Sequence, residues 1–138
     1  NKGYRKDIEM KDLNKIELLA LPVLESQISI SKNPIITFFS EKVRDSLKEK
    51  LLFIVLFGSR ARGDAKEFSD YDFLILLKEK NKSLKKKIID VEVATLDEFD
   101  RLVSSLVWQK KDWDIRKNFP IGKNILQDGI LVWTNEKY

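Results

Sequence analysis

Two stretches of the chain are apolar at nearly every position, and its organisation is read outward from them. They are "LLFIVLFG" (51–58) and "DYDFLILL" (70–77). A strand that buries one face alternates apolar and polar residues, whereas a strand covered on both faces does not. The pattern predicts two neighbouring central strands of a covered sheet, joined by "SRARGD", which reads as a short helical turn. Before them, Ile35, Phe38, Phe39, Val43 and Leu47 form one helical stripe. Asn33 suits its N-cap, and Pro34 suits the first helical position, where a missing N–H costs nothing.

The pattern continues beyond the second run. "KEKNKSLKKK" (78–87) reads as an exposed, lysine-rich connection. "IIDVEVA" (88–94) alternates, with Ile89, Val91 and Val93 on one face and Asp90 and Glu92 on the other, and so predicts a third strand. "TLDE" (95–98) matches a capping box, opening a helix that carries Phe99, Leu102, Val103 and Leu106. A last helix over 121–127, closed by Gly129, leads into a short strand, "ILVW" (130–133). At the other end, Leu13, Ile16 and Leu19–Ala20 have helical spacing until Pro22 interrupts it, and "QISISK" (27–32) suits a short strand. Residues 1–32 therefore read as an N-terminal extension packed on a single domain of residues 33–138.

Composition narrows the chemistry. The chain has 138 residues, 43% hydrophobic and 35% charged, as expected of one folded domain. It has no apolar run of the ~18 residues a membrane span needs, so the expectation is a soluble, cytoplasmic protein. Cysteine and histidine are both absent. Any metal must then be held by oxygen ligands, and any general base must be a carboxylate or a lysine. The net charge of +4 comes with twenty lysines and six arginines. A lysine-coated, solvated surface explains it, and a phosphate-rich ligand would also fit.

One constellation carries chemistry. Asp70 and Asp72 share a strand face, with Cα atoms about 6.6 Å apart, so their carboxylates can converge on one ion. Without a cation each would raise the other's pKa; with Mg²⁺ or Mn²⁺ both stay ionised. The blander reading is a strand end at which two aspartates face water. Gly58 follows the first buried strand directly, where the backbone can approach a ligand, and Ser59 adds a hydroxyl beside the amides of a helix start. Taken alone, that Gly-Ser is an ordinary turn. On the predicted third strand, Asp90 or Glu92 could complete a three-carboxylate cluster around two magnesium ions, or could simply be solvent-facing. Arg60 and Arg62 could neutralise a triphosphate or pair with Asp64 and Glu67; Arg62, followed by Gly63 and Asp64, is the one expected to point inward.

"GSRARGDAKEFSDYDFLILL" resembles the signature of the DNA polymerase β-like nucleotidyltransferase superfamily, specifically its small single-domain branch, the minimal nucleotidyltransferases (MNT). Gly58, Ser59, Asp70 and Asp72 match at the family spacing, and the resemblance extends weakly through "IDVEVATLDEF" and "ILQDGILVW". It implies an α+β fold, a mixed twisted sheet with helices mainly on one face. It implies two-metal transfer of a nucleoside monophosphate, AMP from ATP, to a hydroxyl. Asp70, Asp72 and Asp90 would be the catalytic metal ligands, and Gly58, Ser59 and Arg62 would bind the nucleotide. Glu92 remains the competitor for the third carboxylate. Tyr71 stands where the family commonly has an aliphatic residue, on the strand face opposite the aspartates. Little sequence is left for an acceptor domain, so a second protein or subunit would present the acceptor. Minimal members are often antitoxins of helical HEPN toxins, and some add AMP to a toxin tyrosine. A homodimer is also compatible, and nucleic acid is not expected as the substrate. Two alternatives stay open: a non-catalytic antitoxin that neutralises its partner by contact, and an enzyme acting on a small molecule.

Overall fold

A computed structural model describes residues 17–135. Leu13 and Ile16, and with them most of the expected N-terminal helix, lie outside the described residues. The elements run α1 (Pro34–Leu47), β1 (Leu51–Phe57), α2 (Ser59–Arg62), β2 (Tyr71–Leu77), α3 (Lys82–Phe99), β3 (Val103–Gln109), α4 (Lys110–Arg116), α5 (Pro120–Asp128) and β4 (Ile130–Thr134). The strands form one mixed sheet in the order β3-β2-β1-β4. β1 is antiparallel to β2 and β4, and β2 is parallel to β3.

β1 and β2 are central, as their unbroken apolar runs require, and their side chains divide between two cores. On one face Ile54 and Leu56 of β1, with Tyr71, Phe73 and Ile75 of β2, meet Ile36, Phe39 and Val43 of α1 and Leu84, Ile88 and Val91 of α3. On the other face Phe53, Val55, Leu74 and Leu76 meet Trp108, Trp113 of α4, Ile125 of α5, and Leu18 and Leu21. The two longest helices thus share one face, and the short ones cover the other. A bulge between Leu51 and Phe53 interrupts the alternation, so the consecutive residues Leu52 and Phe53 both join the second core. Trp108 and Trp113 are core residues, whereas Trp133 is half-buried beneath the Arg44 guanidinium.

α1 forms as its pattern predicts. The Asn33 side chain accepts from the amides of Ile35 and Ile36 at 2.8 and 3.3 Å, and Pro34 takes the first turn.

Residues 88–94 are not a strand. They lie inside α3, whose N-cap is Asn81, accepting from the Leu84 amide at 2.9 Å. Leu84, Ile88, Val91 and Thr95 are its buried positions, spaced four, three and four apart as a helix demands. The lysines of 82–87 are its first turns rather than a loop, and "TLDE" is its last turn rather than a cap. The helix ends at Asp100, in the left-handed region with φ 54°. The third strand is instead Val103–Gln109, at one edge of the sheet, where a helix was expected, and "QISISK" forms turns followed by the α1 cap. Topology accounts for the reassignment. β2 and β3 are parallel, so a crossover must return the chain to the same end of the sheet, and α3 is that crossover.

Among the described residues no helix is long and apolar enough to cross a membrane.

Candidate active site

β1 ends at Phe57, and the backbone turns at Gly58 with φ 75° and ψ −161°. That conformation belongs to glycine, because a Cβ would crowd the adjoining backbone. A second constraint acts at the same place. A Cβ on Gly58 would collide with Oδ2 of Asp72 and lie 3.3 Å from its carboxyl carbon. The missing side chain is what lets the Asp72 carboxylate lie against the turn. The antiparallel pairing of Phe57 with Asp72 brings it there.

Ser59 opens α2. The amides of Ala61 and Arg62 both donate to the Gly58 carbonyl at 3.0 Å. The amides of Ser59 and Arg60 make no such bond within the described residues, as the first donors of a helix do not. Beside them stand two carboxylates. Asp70 is exposed just before β2, and Asp72 is half-buried within it. Neither has a hydrogen bond or ion pair among the described residues. Burial, then the neighbouring Asp70 charge, pushes the Asp72 carboxyl above its ordinary range, and Arg62 partly opposes them. An acidic pair held without a partner beside free amides suits a hard cation and the phosphates it carries.

Arg60 and Arg62 do different work. Arg60 donates from Nη2 to the carbonyls of Glu67 and Ser69 at 2.7 and 2.8 Å, and from Nε to Ser69 at 3.1 Å. Its guanidinium also lies over the Tyr71 ring, 4.4 Å from the centroid. It pins the loop that delivers Asp70. Tyr71 in turn accepts from Asn33 Nδ2 at 3.0 Å, tying the α1 cap to the strand that carries Asp72. Arg62 does not point inward as expected; it lies exposed on the site's rim, 3.2 Å from Asp64 and 3.4 Å from Asp128, whose carboxylates hold it there.

The structure thus brings Gly58, Ser59, Asp70 and Asp72 together, with Arg62 beside them. It does not bring Asp90. That residue sits on an exposed part of α3 and pairs with Lys86 at 3.3 Å. Glu92 is no substitute. It packs from α3 against Ser105, whose side chain and amide partly offset the upward push of burial on its carboxyl. Even-numbered β3 residues Leu106 and Trp108 join the core on the Asp72 face, while odd-numbered Val103 and Val107 join the other. Glu92 therefore lies behind the sheet. Beside Asp72 in the parallel register stands Ser104. Among the described residues no group of three or more acidic side chains could hold a metal ion. Sequence reasoning missed Asp128, which the fold brings to Arg62 from 66 positions away. No local pattern signals that contact. Gln109 and Asp112, which cap α4, were legible only once β3 was placed correctly.

The profile of a family described as "Nucleotidyltransferase domain" matches residues 40–131. A Methanocaldococcus jannaschii protein provisionally named protein adenylyltransferase MJ0141 is 42% identical over 77 residues, covering 55% of this chain and 78% of that protein. A second from the same organism, provisionally named protein adenylyltransferase MJ1305, is 28% identical over 112 residues, covering 75% and 76%. Among solved structures, a chain from a toxin–antitoxin crystallised with AMP-PNP superposes with a TM-score of 0.51 at 18% identity, covering 72% of this chain and 73% of that one. At that identity the likeness concerns the fold. The chain belongs to the nucleotidyltransferase domain family.

Proposed function

We propose that this member of the nucleotidyltransferase domain family transfers AMP from ATP to a hydroxyl on a protein partner, as an MNT-type antitoxin acting on a helical HEPN toxin. The observation that carries the reading is the Phe57–Asp72 pairing, which sets a carboxylate pair against a Gly-Ser turn with free amides. The names of the two archaeal relatives support protein as the acceptor, and the toxin–antitoxin fold likeness supports the pairing.

Asp70 and Asp72 would hold Mg²⁺. Their oxygen donors fit a cation that keeps some of its waters and takes its remaining ligands from phosphate. Bound there, the ion would supply charge neutralisation at the triphosphate. Ser59 and the amides at the start of α2 would grip phosphate oxygens, with Arg62 at the rim. The acceptor oxygen bonds to the α-phosphorus as its hydroxyl proton passes to water, the bond from that phosphorus to the bridging oxygen breaks, and pyrophosphate leaves. The described residues supply carboxylates for one ion rather than the three-carboxylate clamp expected for two.

That shortfall favours a second reading. A site with Ser104 in place of an acid beside Asp72 can hold a metal-nucleotide without activating an acceptor hydroxyl. The protein would then neutralise its partner by contact. Incubation with labelled ATP, Mg²⁺ and the partner encoded beside it separates the two. Mass spectrometry showing added AMP on the partner, lost in Asp72→Asn, supports transfer. An unmodified partner that still binds and is still inhibited supports contact alone.

A further inference from the structure

The outer face of α3 carries an apolar stripe that nothing among the described residues covers. Ile89, Val93 and Leu96 are 54%, 51% and 37% exposed. They are spaced i, i+4 and i+7, so they lie on one side of the helix, away from buried Leu84, Ile88 and Val91. The same side continues into exposed Lys82, Lys85 and Lys86 towards the N-terminus and exposed Asp97 and Asp100 towards the C-terminus.

This charge order opposes the helix's own dipole. A helix favours acids in its first turn and bases in its last, each worth about 0.3–1 kcal/mol. α3 has no acid in the first turn and no base in the last. The distribution therefore disfavours the isolated helix and calls for another partner. Its symmetry says which. A surface that is basic at one end, acidic at the other and apolar between is complementary to itself when turned end for end.

We propose that α3 is a homodimer interface, in which a second copy of this chain packs its α3 antiparallel across a two-fold axis near Val93. Ile89 of each copy then meets Leu96 of the other. Lys85 and Lys86 come level with the second copy's Asp100, Asp97 lies within a turn of them, and Lys82 reaches just beyond the partner helix's end. An interface in which the same patch serves both subunits is the commonest way soluble chains pair. The two helix dipoles also run antiparallel. Asp72 faces the other side of the sheet from α3, so the paired molecule keeps both nucleotide sites open.

Charge-reversal variants test this. Lys82→Glu with Lys86→Glu leaves Lys85 as the one lysine of that basic end among acids, and Asp97→Lys with Asp100→Asn removes the acidic end. All four positions are exposed, and asparagine tolerates the left-handed conformation at residue 100. Sedimentation velocity across micromolar concentrations reads the mass. The wild type is expected to move from one copy of 16.2 kDa to two, less readily at high salt. Each variant alone is expected to stay monomeric, with association weakened at least about tenfold. An equimolar mixture of the two variants is expected to form a dimer. A wild type that stays monomeric throughout overturns the proposal, as does a dimer that survives in either variant or a mixture that does not associate. Circular dichroism confirms that each variant retains its helices.

Discussion

At the residue scale, the account turns on Asp72. Its carboxyl is held above its ordinary range by burial and by Asp70, so the folded state binds its proton more tightly than the unfolded chain does. The sign follows from linkage. Without metal, Asp72 costs stability at neutral pH, and the cost is relieved as pH falls through the raised value towards 3.8. Asp72→Asn should therefore stabilise the metal-free protein at pH 7, by under about 1 kcal/mol because the group is partly solvated. The difference in melting temperature between wild type and variant should shrink at acid pH. Melting the two side by side at pH 7 and pH 4 checks this, and a variant less stable at pH 7 speaks against it.

Gly58 answers to two constraints at once, a positive φ and the Asp72 carboxylate. Gly58→Ala should cost about 1–3 kcal/mol from the backbone alone and displace the carboxylate, weakening metal-nucleotide binding in protein that remains folded. Asp90 is the opposite case. Alternation suggested a catalytic residue, yet its i,i+4 pair with Lys86 is exposed. Asp90→Ala should change stability by no more than about 0.5 kcal/mol and leave nucleotide affinity unchanged. Denaturant midpoints and a titration would show otherwise if Asp90 took part.

At the scale of elements, the legible parts were those whose pattern admits one period. β1 and β2 read correctly because an unbroken apolar run with a glycine turn between suits central strands. α1 read correctly because cap, proline and stripe agree. "IIDVEVA" was ambiguous in a specific way: its exposed Ile89 and Val93 mimic the second half of a strand alternation. The helical set Leu84, Ile88, Val91 and Thr95 reaches back into the lysine-rich run, which looked like loop. β3 was hidden for the converse reason. Leu102, Val103 and Leu106 have helical spacing, and Ser104 and Ser105 blur its alternation. Parallel pairing with β2 settles both, and pairing is a long-range fact that no short window contains. The Asn33 cap joins two elements, since its side chain accepts from α1 amides and donates to Tyr71. Asn33→Ala should cost about 1–2 kcal/mol in urea unfolding, whereas Asn33→Asp should recover the cap, with the Tyr71 hydroxyl now donating to the carboxylate. Equal stability of all three would show that the cap contributes nothing.

At the scale of the whole molecule, the sheet separates two roles. One face, with the end of β1 and the start of β2, supplies the turn and the carboxylates. The other carries α1 and α3, the latter with its uncovered stripe. The central claim is that Asp70, Asp72 and the Gly58 turn form one metal-nucleotide site to which Asp90 contributes nothing. Calorimetric titration of Mg²⁺–AMP-PNP into wild type, Asp72→Asn and Asp90→Ala tests it most directly. Wild type and Asp90→Ala should bind alike, and Asp72→Asn at least about tenfold more weakly, a difference of about 1.4 kcal/mol. Equal affinity in all three proteins, or a loss confined to Asp90→Ala, would contradict it.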